Sequence, residues 1–355
     1  MKGALLKIAS LFYGAAIKLR HLLFDMNILH SERFDIPIIC VGNITVGGTG
    51  KTPTVEMLVE HYSEEYNVAV LSRGYGRFTK GYRVVGVDDT YRTVGDEPLQ
   101  IKQKYPHVVV VVCEKRAFAI HRIKEEFPDV NMVIMDDGFQ HRYVNPLINI
   151  VIIDANRPVE RDHLLPYGQL RDTTDSLDRA NYFIVTKCPE DMTPIGMRIM
   201  RKVLVGKPSQ GIFFSRMAIM PPCPVFADVT GTVECGASVI AMSGIGDNEA
   251  FNKGLEKRYK VVAALDFDDH HSYRISDLRK MEHALAKYPD AVIMTTEKDA
   301  VKLSHSSAIP EEIRKKLFFE RISLRFVGDS RKELFSKIDS DIKNRSNGLY
   351  IKGLY

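Results

Sequence analysis

Residues 41–53, Val-Gly-Asn-Ile-Thr-Val-Gly-Gly-Thr-Gly-Lys-Thr-Pro, run from an apolar strand pattern into a glycine-rich turn that opens a helix. Glycines let backbone N–H groups close around phosphate oxygens, and a helix N-terminus adds partial positive charge. In this setting Gly47, Gly48, Thr49, Gly50, Lys51 and Thr52 form a candidate phosphate cradle. Lys51 would reach the β- and γ-phosphates of a nucleotide such as ATP, and the Thr52 hydroxyl would bind Mg2+. Pro53 is tolerated because the first helical turn needs no N–H there. The strict pattern asks for glycine five residues before Gly50, and this chain has Thr45. A purely structural glycine-rich turn is the competing reading.

Other acidic and basic residues sit where a second set of chemical groups would be expected. Residues 133–137, Val-Ile-Met-Asp-Asp, end an apolar run in two carboxylates, the form of a magnesium-anchoring strand end. Successive side chains alternate in an extended strand, so Asp136 can face a metal while Asp137 does not. Gly95-Asp96-Glu97-Pro98 opens a helix pattern, where Asp96 is either a chemical group or an N-cap. Asp268-Asp269-His270-His271 can bind a metal, relay a proton or lie solvated in a loop. Arg73 and Arg171-Asp172 fall in loop-like stretches, where arginines either clamp an anion or stand at the surface.

The elements that must position these groups alternate between strand and helix. Strands are expected at 36–42, 67–72, 107–113, 130–136, 147–154 and 181–187, and helices near 53–64, 97–105, 115–127 and 190–203. The run 107–113, His-Val-Val-Val-Val-Val-Cys, lacks polar alternation, as a parallel strand covered on both faces should. This is the pattern of an α/β, doubly wound, P-loop NTPase-type sheet. Pro221, Pro222 and Pro224 mark a linker. A second, smaller α/β domain follows, with strands at 237–242, 259–265 and 290–295 and helices near 247–258 and 276–287. A last strand, 317–325, fits either unit. The expected domains are therefore an N-terminal segment 1–33, a P-loop domain 34–215, a linker 216–236 and a smaller domain 237–345.

The 355 residues are 45% hydrophobic and 26% charged, which excludes a disordered, collagenous or multi-pass membrane chain. A formal charge of +4 is too small to argue for nucleic acid. Five dispersed cysteines form no CxxC pair, and Cys40 and Cys113 sit in strand-like runs as buried reduced thiols, consistent with a reducing cytoplasm. Of the net charge, +3 lies in residues 1–33. There Lys7, Ser10, Gly14, Lys18, His21 and Asp25 recur at helical spacing as one narrow polar stripe on a mostly apolar helix. The apolar stretch 8–17 falls short of the roughly 20 residues a bilayer requires. The helix fits a membrane interface with lysines meeting anionic headgroups, or packing on the protein's own core. Arg20 falls away from the stripe and must snorkel or find a partner.

Seven motifs occur in order: Gly-Asn-x-x-x-Gly-Gly-x-Gly-Lys-Thr-Pro (42–53), Ser-Arg-Gly-Tyr-Gly (72–76), Gly-Asp-Glu-Pro (95–98), Asp-Asp-Gly-Phe-Gln-His (136–141), Pro-Tyr-Gly-Gln-Leu-Arg-Asp (166–172), Phe-x-Asp-His-His (267–271) and Thr-Glu-Lys-Asp-Ala-Val-Lys (296–302). Together they resemble the tetraacyldisaccharide 4′-kinase family of the lipid A pathway in Gram-negative bacteria. The resemblance spans roughly residues 1–303. It implies transfer of the ATP γ-phosphate to the 4′-hydroxyl of a lipid disaccharide 1-phosphate, with Mg2+, at the cytoplasmic face of the inner membrane. It implies no nucleic-acid partner, and no obligate protein partner is inferred. It maps a catalytic Asp–His dyad onto Asp96 and a histidine of Asp269-His270-His271, of which we take His270, directly after the aspartate. With Lys51 these form the expected catalytic set.

The same resemblance places Glu97 beside Thr52 and Asp136 at the metal, and Tyr75, Arg116, His141, Asn145 and Arg171 at the acceptor. Asp172 stands where the family usually has glutamate, and its carboxylate reaches about 1.5 Å less. A dyad split between the two domains would let closure assemble the site. Two rival classes are a membrane-associated P-loop ATPase and a nucleotide-binding scaffold without turnover. The ATPases usually carry lysine before the glycine pair, where this chain has Val46. The scaffold would have no use for the ordered acidic and histidine motifs.

Overall fold

The computed structural model describes residues 2–304, 306 and 308–346. Met1 of the N-terminal segment lies outside the described residues. Two compact units emerge, and neither is continuous in sequence. The first comprises residues 1–73, 108–217 and 324–355, and the second residues 74–107 and 218–323. The contiguous domains 34–215 and 237–345 do not coincide with them. The chain leaves the first unit after strand Val68–Ser72 and returns at strand Val109–Val112. Periodicity registers the two strands but not an excursion between them, because a crossover of any length still joins parallel neighbours.

In the first unit, strand Ile38–Gly42 is flanked by Met132–Asp136 on one side and Ile148–Asp154 on the other, both parallel. Val68–Ser72 and Val109–Val112 extend the sheet on the first side. Tyr182–Thr186 and Gly211–Ile219 extend it on the other. Every residue of Ile38–Gly42, Val68–Ser72, Met132–Asp136 and Tyr182–Thr186 is buried, which explains the lack of polar alternation. Strand order reverses around Ile38–Gly42, so its carboxyl end is the place where an open parallel sheet receives ligands. The phosphate loop begins there. Gly42 has no room for a side chain, since a Cβ would meet Phe139 Cβ at 2.6 Å.

The second unit has a parallel sheet ordered Lys260–Asp266, Ser238–Ser243, Val292–Thr296 and Leu317–Glu320, with Cys223–Pro224 antiparallel at its edge. Helices Asp96–Lys104 and Glu297–Ser304 pack together, and Lys104 pairs with Glu297 at 3.5 Å. The expected strand 317–325 is two strands, Leu317–Glu320 and Ile322–Phe326, which part at Arg321. The expected linker 216–236 holds the end of strand Gly211–Ile219 and the short Cys223–Pro224. Helix Ser330–Ser346 follows, where no element was expected.

Helix Lys2–Asp25 belongs to the first unit, and among the described residues no helix is long and apolar enough to cross a membrane. Ser10, Gly14 and His21 of its polar stripe face the protein, whereas Lys7 and Lys18 are exposed. Ser10 Oγ donates to the Leu164 carbonyl at 2.7 Å, and Gly14 is buried against Leu164. His21 Nε2 meets Asp172 Oδ1 at 2.7 Å, and Arg142 donates to Asp25 at 2.6 Å. Arg20 finds its partners in the Gln140 carbonyl, at 3.0 Å, and the Phe24 ring. Leu5, Ile8, Leu11, Phe12, Leu19 and Leu22 are left exposed, Phe12 at 74%. An ordinary surface helix has the opposite arrangement.

Candidate active site

Each unit gathers its own set of chemical groups. In the first, Gly47 and Gly50 have φ near +95°, the left-handed region that glycine enters without strain. Helix Lys51–Tyr62 starts immediately after Gly50, two residues before the expected start. Asn43 braces the loop from beneath: its Nδ2 donates to Thr49 Oγ1 at 2.8 Å, and its Oδ1 accepts from Lys51 Nζ at 3.4 Å. Thr186 Oγ1 donates to the Thr49 carbonyl at 2.6 Å. Backbone N–H groups are thereby left at the N-terminus of a helix, the geometry that cradles an anion.

The two carboxylates at the end of Met132–Asp136 diverge. Asp137 has φ +47° and turns toward cations, accepting from Arg171 at 2.8 and 3.0 Å with Lys51 Nζ at 3.8 Å. Burial raises its pKa, but the Arg171 bond and Lys51 charge outweigh this and bring it to about 2. Asp136 is buried and accepts from Ser72 Oγ at 3.2 Å. Burial, and then the charge of Asp137, push its pKa up. A buried carboxylate that its surroundings under-compensate is a suitable oxygen donor for a hard cation. Asp136 is thus a candidate oxygen donor for Mg2+.

Arg116 is buried at the start of helix Arg116–Glu126, where its Nη1 donates to the Cys113 carbonyl at 2.9 Å. Its backbone N–H donates to His141 Nε2 at 3.3 Å. Burial, then the Arg116 charge, lower the His141 pKa to about 4. Asn145 is exposed, and its backbone N–H donates to Glu32. Asp172 is buried with His21 on one oxygen and Arg179 on the other at 3.3 Å. This aspartate secures the N-terminal helix, a contact that loop spacing does not disclose.

The second unit holds the dyad. Gly95, at φ +94°, is the N-cap of helix Asp96–Lys104, so Asp96 is the first helical residue and not the cap. A Cβ at Gly95 would meet Gly74 and Tyr75 backbone at 3.1 Å. Asp96 is buried, and its Oδ2 lies 3.0 Å from His270 Nδ1, 3.5 Å from Lys298 Nζ and 3.8 Å from Lys302 Nζ. Oδ1 is buried with no hydrogen-bond partner among the described residues. Burial raises the Asp96 pKa, yet the His270 bond and neighbouring cations hold it well below the usual carboxylate range. Both members of the dyad fall in one unit, not in two as expected.

His270 follows strand Lys260–Asp266 at φ +57°, with its N–H on Asp269 Oδ1 at 2.9 Å. A non-glycine residue there is strained and needs support from its surroundings. Lys298 Nζ lies 3.3 Å from His270 Nε2. An ammonium only donates, so in the neutral ring Nε2 accepts from Lys298 and Nδ1–H donates to Asp96. The Asp96 bond raises the His270 pKa against burial and Lys298. His271 is occupied elsewhere, pairing with Asp277 at 2.9 Å and stacking on Phe267. Tyr75 is exposed, with its ring 5.1 Å from His270.

Glu97 also belongs to this unit, whereas Thr52 and Asp136 belong to the first. Donor atoms of Asp96, Glu97 and His270 lie within 4.8 Å of one another, and Lys298 stands 3.2 Å from Glu97. Lys298 and Lys302 are the main residues the motif reading passed over. Both lie in the motif 296–302, and their spacing of four on helix Glu297–Ser304 puts them on one face.

A family model described as Tetraacyldisaccharide-1-P 4'-kinase matches residues 3–343. The tetraacyldisaccharide 4'-kinase of Porphyromonas gingivalis strain W83 is 39% identical over 350 residues, spanning 96% of this chain and 97% of the relative. That of Phocaeicola vulgatus is 35% identical, spanning 98% of each. Among solved structures, the "apo" form of LpxK from Aquifex aeolicus in complex with ATP superposes with a TM-score of 0.73 at 26% identity. It covers 96% of this chain and 100% of its own.

Proposed function

This chain belongs to the tetraacyldisaccharide 4′-kinase family, and from that premise we propose which of its residues carry the reaction. The enzyme is an ATP-dependent lipid A 4′-kinase. It transfers the γ-phosphate to the 4′-hydroxyl of tetraacyldisaccharide 1-phosphate. A bond forms between the 4′-oxygen and the γ-phosphorus, the bond to the ADP oxygen breaks, and the hydroxyl proton must be taken up. Such transfer depends on alignment and charge stabilisation more than on covalent chemistry.

Lys51 and the N–H groups of residues 47–52 hold the triphosphate. Thr52 and Asp136 would hold Mg2+, and the family resemblance assigns Glu97 to the metal as well; the ion would supply neutralisation of phosphate charge. Asp137 and Asn43 keep Arg171 and Lys51 oriented. Asp96 takes the hydroxyl proton on Oδ1, the oxygen that makes no other hydrogen bond. His270 fixes the carboxylate through Oδ2, its Nδ1–H holding that oxygen while Oδ1 accepts the proton. Tyr75, Arg116, His141, Asn145 and Arg171 are the proposed acceptor contacts. A buried, ionised Asp96 with one oxygen secured and the other unpartnered is the observation that carries this reading.

We also propose that the chain works at the cytoplasmic face of the inner membrane as a peripheral enzyme. The outward apolar face of Lys2–Asp25 supports this, since Ser10 and His21 are taken up by the protein while Lys7 and Lys18 stay exposed beside the apolar residues. Incubation with γ-labelled ATP and the lipid disaccharide tests the activity. Label in the lipid is expected. Release of inorganic phosphate alone would favour a P-loop ATPase, and neither product would favour a scaffold.

A further inference from the structure

Helix Pro194–Leu204 in the first unit carries an apolar stripe that the fold leaves uncovered. Thr193 caps it, its Oγ1 accepting the Gly196 N–H at 3.1 Å. Met197 and Met200 pack against the core with buried Leu204. Ile195, Ile199 and Val203, each four residues apart, are instead 70%, 59% and 48% exposed. Arg198, Arg201 and Lys202 are exposed beside them, and the helix contains no acidic residue.

The stripe continues into the body of the unit. A cavity of about 260 Å³ lies between Val159, Met192, Ile199, Met200 and Val203. Its far wall is the turn Val159–Arg161, and the same segment reaches Leu164, on which Ser10 and Gly14 of helix Lys2–Asp25 rest. Two helices with outward apolar residues thus flank one segment, 158–164.

We propose that helix Pro194–Leu204 is a second membrane-contact element, seating Ile195, Ile199 and Val203 among acyl chains and Arg198, Arg201 and Lys202 among anionic headgroups. This rests on the membrane-surface reading of Lys2–Asp25 above. The occupant is an anionic bilayer because the stripe is bordered by cations alone on its own helix, which flanks the same segment, 158–164, as the other exposed apolar helix. A short amphipathic helix of this composition lies in an interface and does not span it.

The chain has no tryptophan, so a single introduced indole reports one position. Ile199→Trp and Phe12→Trp would each be mixed, in the full-length chain, with vesicles of phosphatidylethanolamine and phosphatidylglycerol carrying brominated acyl chains. Both variants are expected to shift to the blue and lose emission. Replacing Arg198, Arg201 and Lys202 by glutamine should weaken vesicle binding by about fivefold per residue. Quenching of Phe12→Trp without quenching of Ile199→Trp would overturn the proposal and leave the N-terminal helix as the anchor. No quenching of either would remove the membrane-surface reading itself. Lipid-free self-association that Ile199→Glu abolishes would assign the stripe to a second copy of the chain and overturn the proposal.

Discussion

His270 Nδ1 lies 3.0 Å from Asp96 Oδ2, although 174 residues separate the two in sequence. Both belong to one compact unit, so their bond is a property of that unit's own packing. Asp96 begins one helix and His270 ends a strand–loop segment of the same unit. Lys298 completes the arrangement from helix Glu297–Ser304, which follows strand Val292–Thr296.

Asp96→Asn keeps the shape of the side chain and removes the proton acceptor. kcat should fall by about 10²–10⁴. Calorimetric titration should still show ATP binding close to that of the parent. Near-normal turnover would rule out Asp96 as the base.

The two adjacent histidines should separate cleanly. His270→Ala removes the partner of Asp96 and should lower kcat by about 10–100-fold. His271→Ala removes the Asp277 contact and the stacking on Phe267, so its effect belongs in stability and not in kcat. Equal kcat losses from both changes would contradict the assignment.

Lys298→Met removes a cation that favours both the Asp96 carboxylate and the neutral His270 ring. Loss of that charge raises both pKa values, so the acidic limb of the kcat/KM profile should move to higher pH. The limb reports the pair and not one residue. Lys298→Arg should restore most of the original profile. An unmoved limb in Lys298→Met would show that the ammonium has no influence on the pair.

His141 is held at about 4, below its ordinary value, by burial and Arg116. The unfolded chain takes up a proton near pH 6.5 and the folded chain does not. Stability is therefore full above that pH and is lost as pH falls toward 4, by at most about 3 kcal/mol. His141→Gln should show a smaller acid loss than the parent in urea denaturation. Identical losses would place the effect elsewhere.

Asp172→Ala strands Arg179 and His21, which it joins in a largely buried cluster. A loss of about 2–3 kcal/mol is expected. Hydrogen exchange should quicken in helix Lys2–Asp25, which loses its His21 anchor. Unchanged protection there would argue against the anchoring role.

Much of the chemistry was legible without coordinates because it is local. A glycine turn between strand and helix, and aspartates at a strand end, depend on residues adjacent in the chain. The strands at 38–42, 68–72, 109–112, 132–136, 148–154 and 182–186 lie within the expected runs, because residues buried on both faces leave uninterrupted apolar stretches. Lys298, Lys302 and Asp172 were not assigned, since a charged residue takes its role from a partner far along the chain.

The sequence by itself determined the phosphate loop, the parallel sheet and the ordered motifs that place the chain in its family. It also determined that the N-terminal helix has one narrow polar stripe. Tertiary structure showed that His270, the histidine taken from the motif, bonds Asp96 while His271 pairs with Asp277. It also decided that residues 74–107 fold with 218–323, and that Ser10, Gly14 and His21 of the stripe face inward. A helical pattern shows which residues share a face; only the groups packed against that face decide whether it turns to protein or away. Here Leu164, Asp172 and Arg142 take the polar side, and the leucines are left outward.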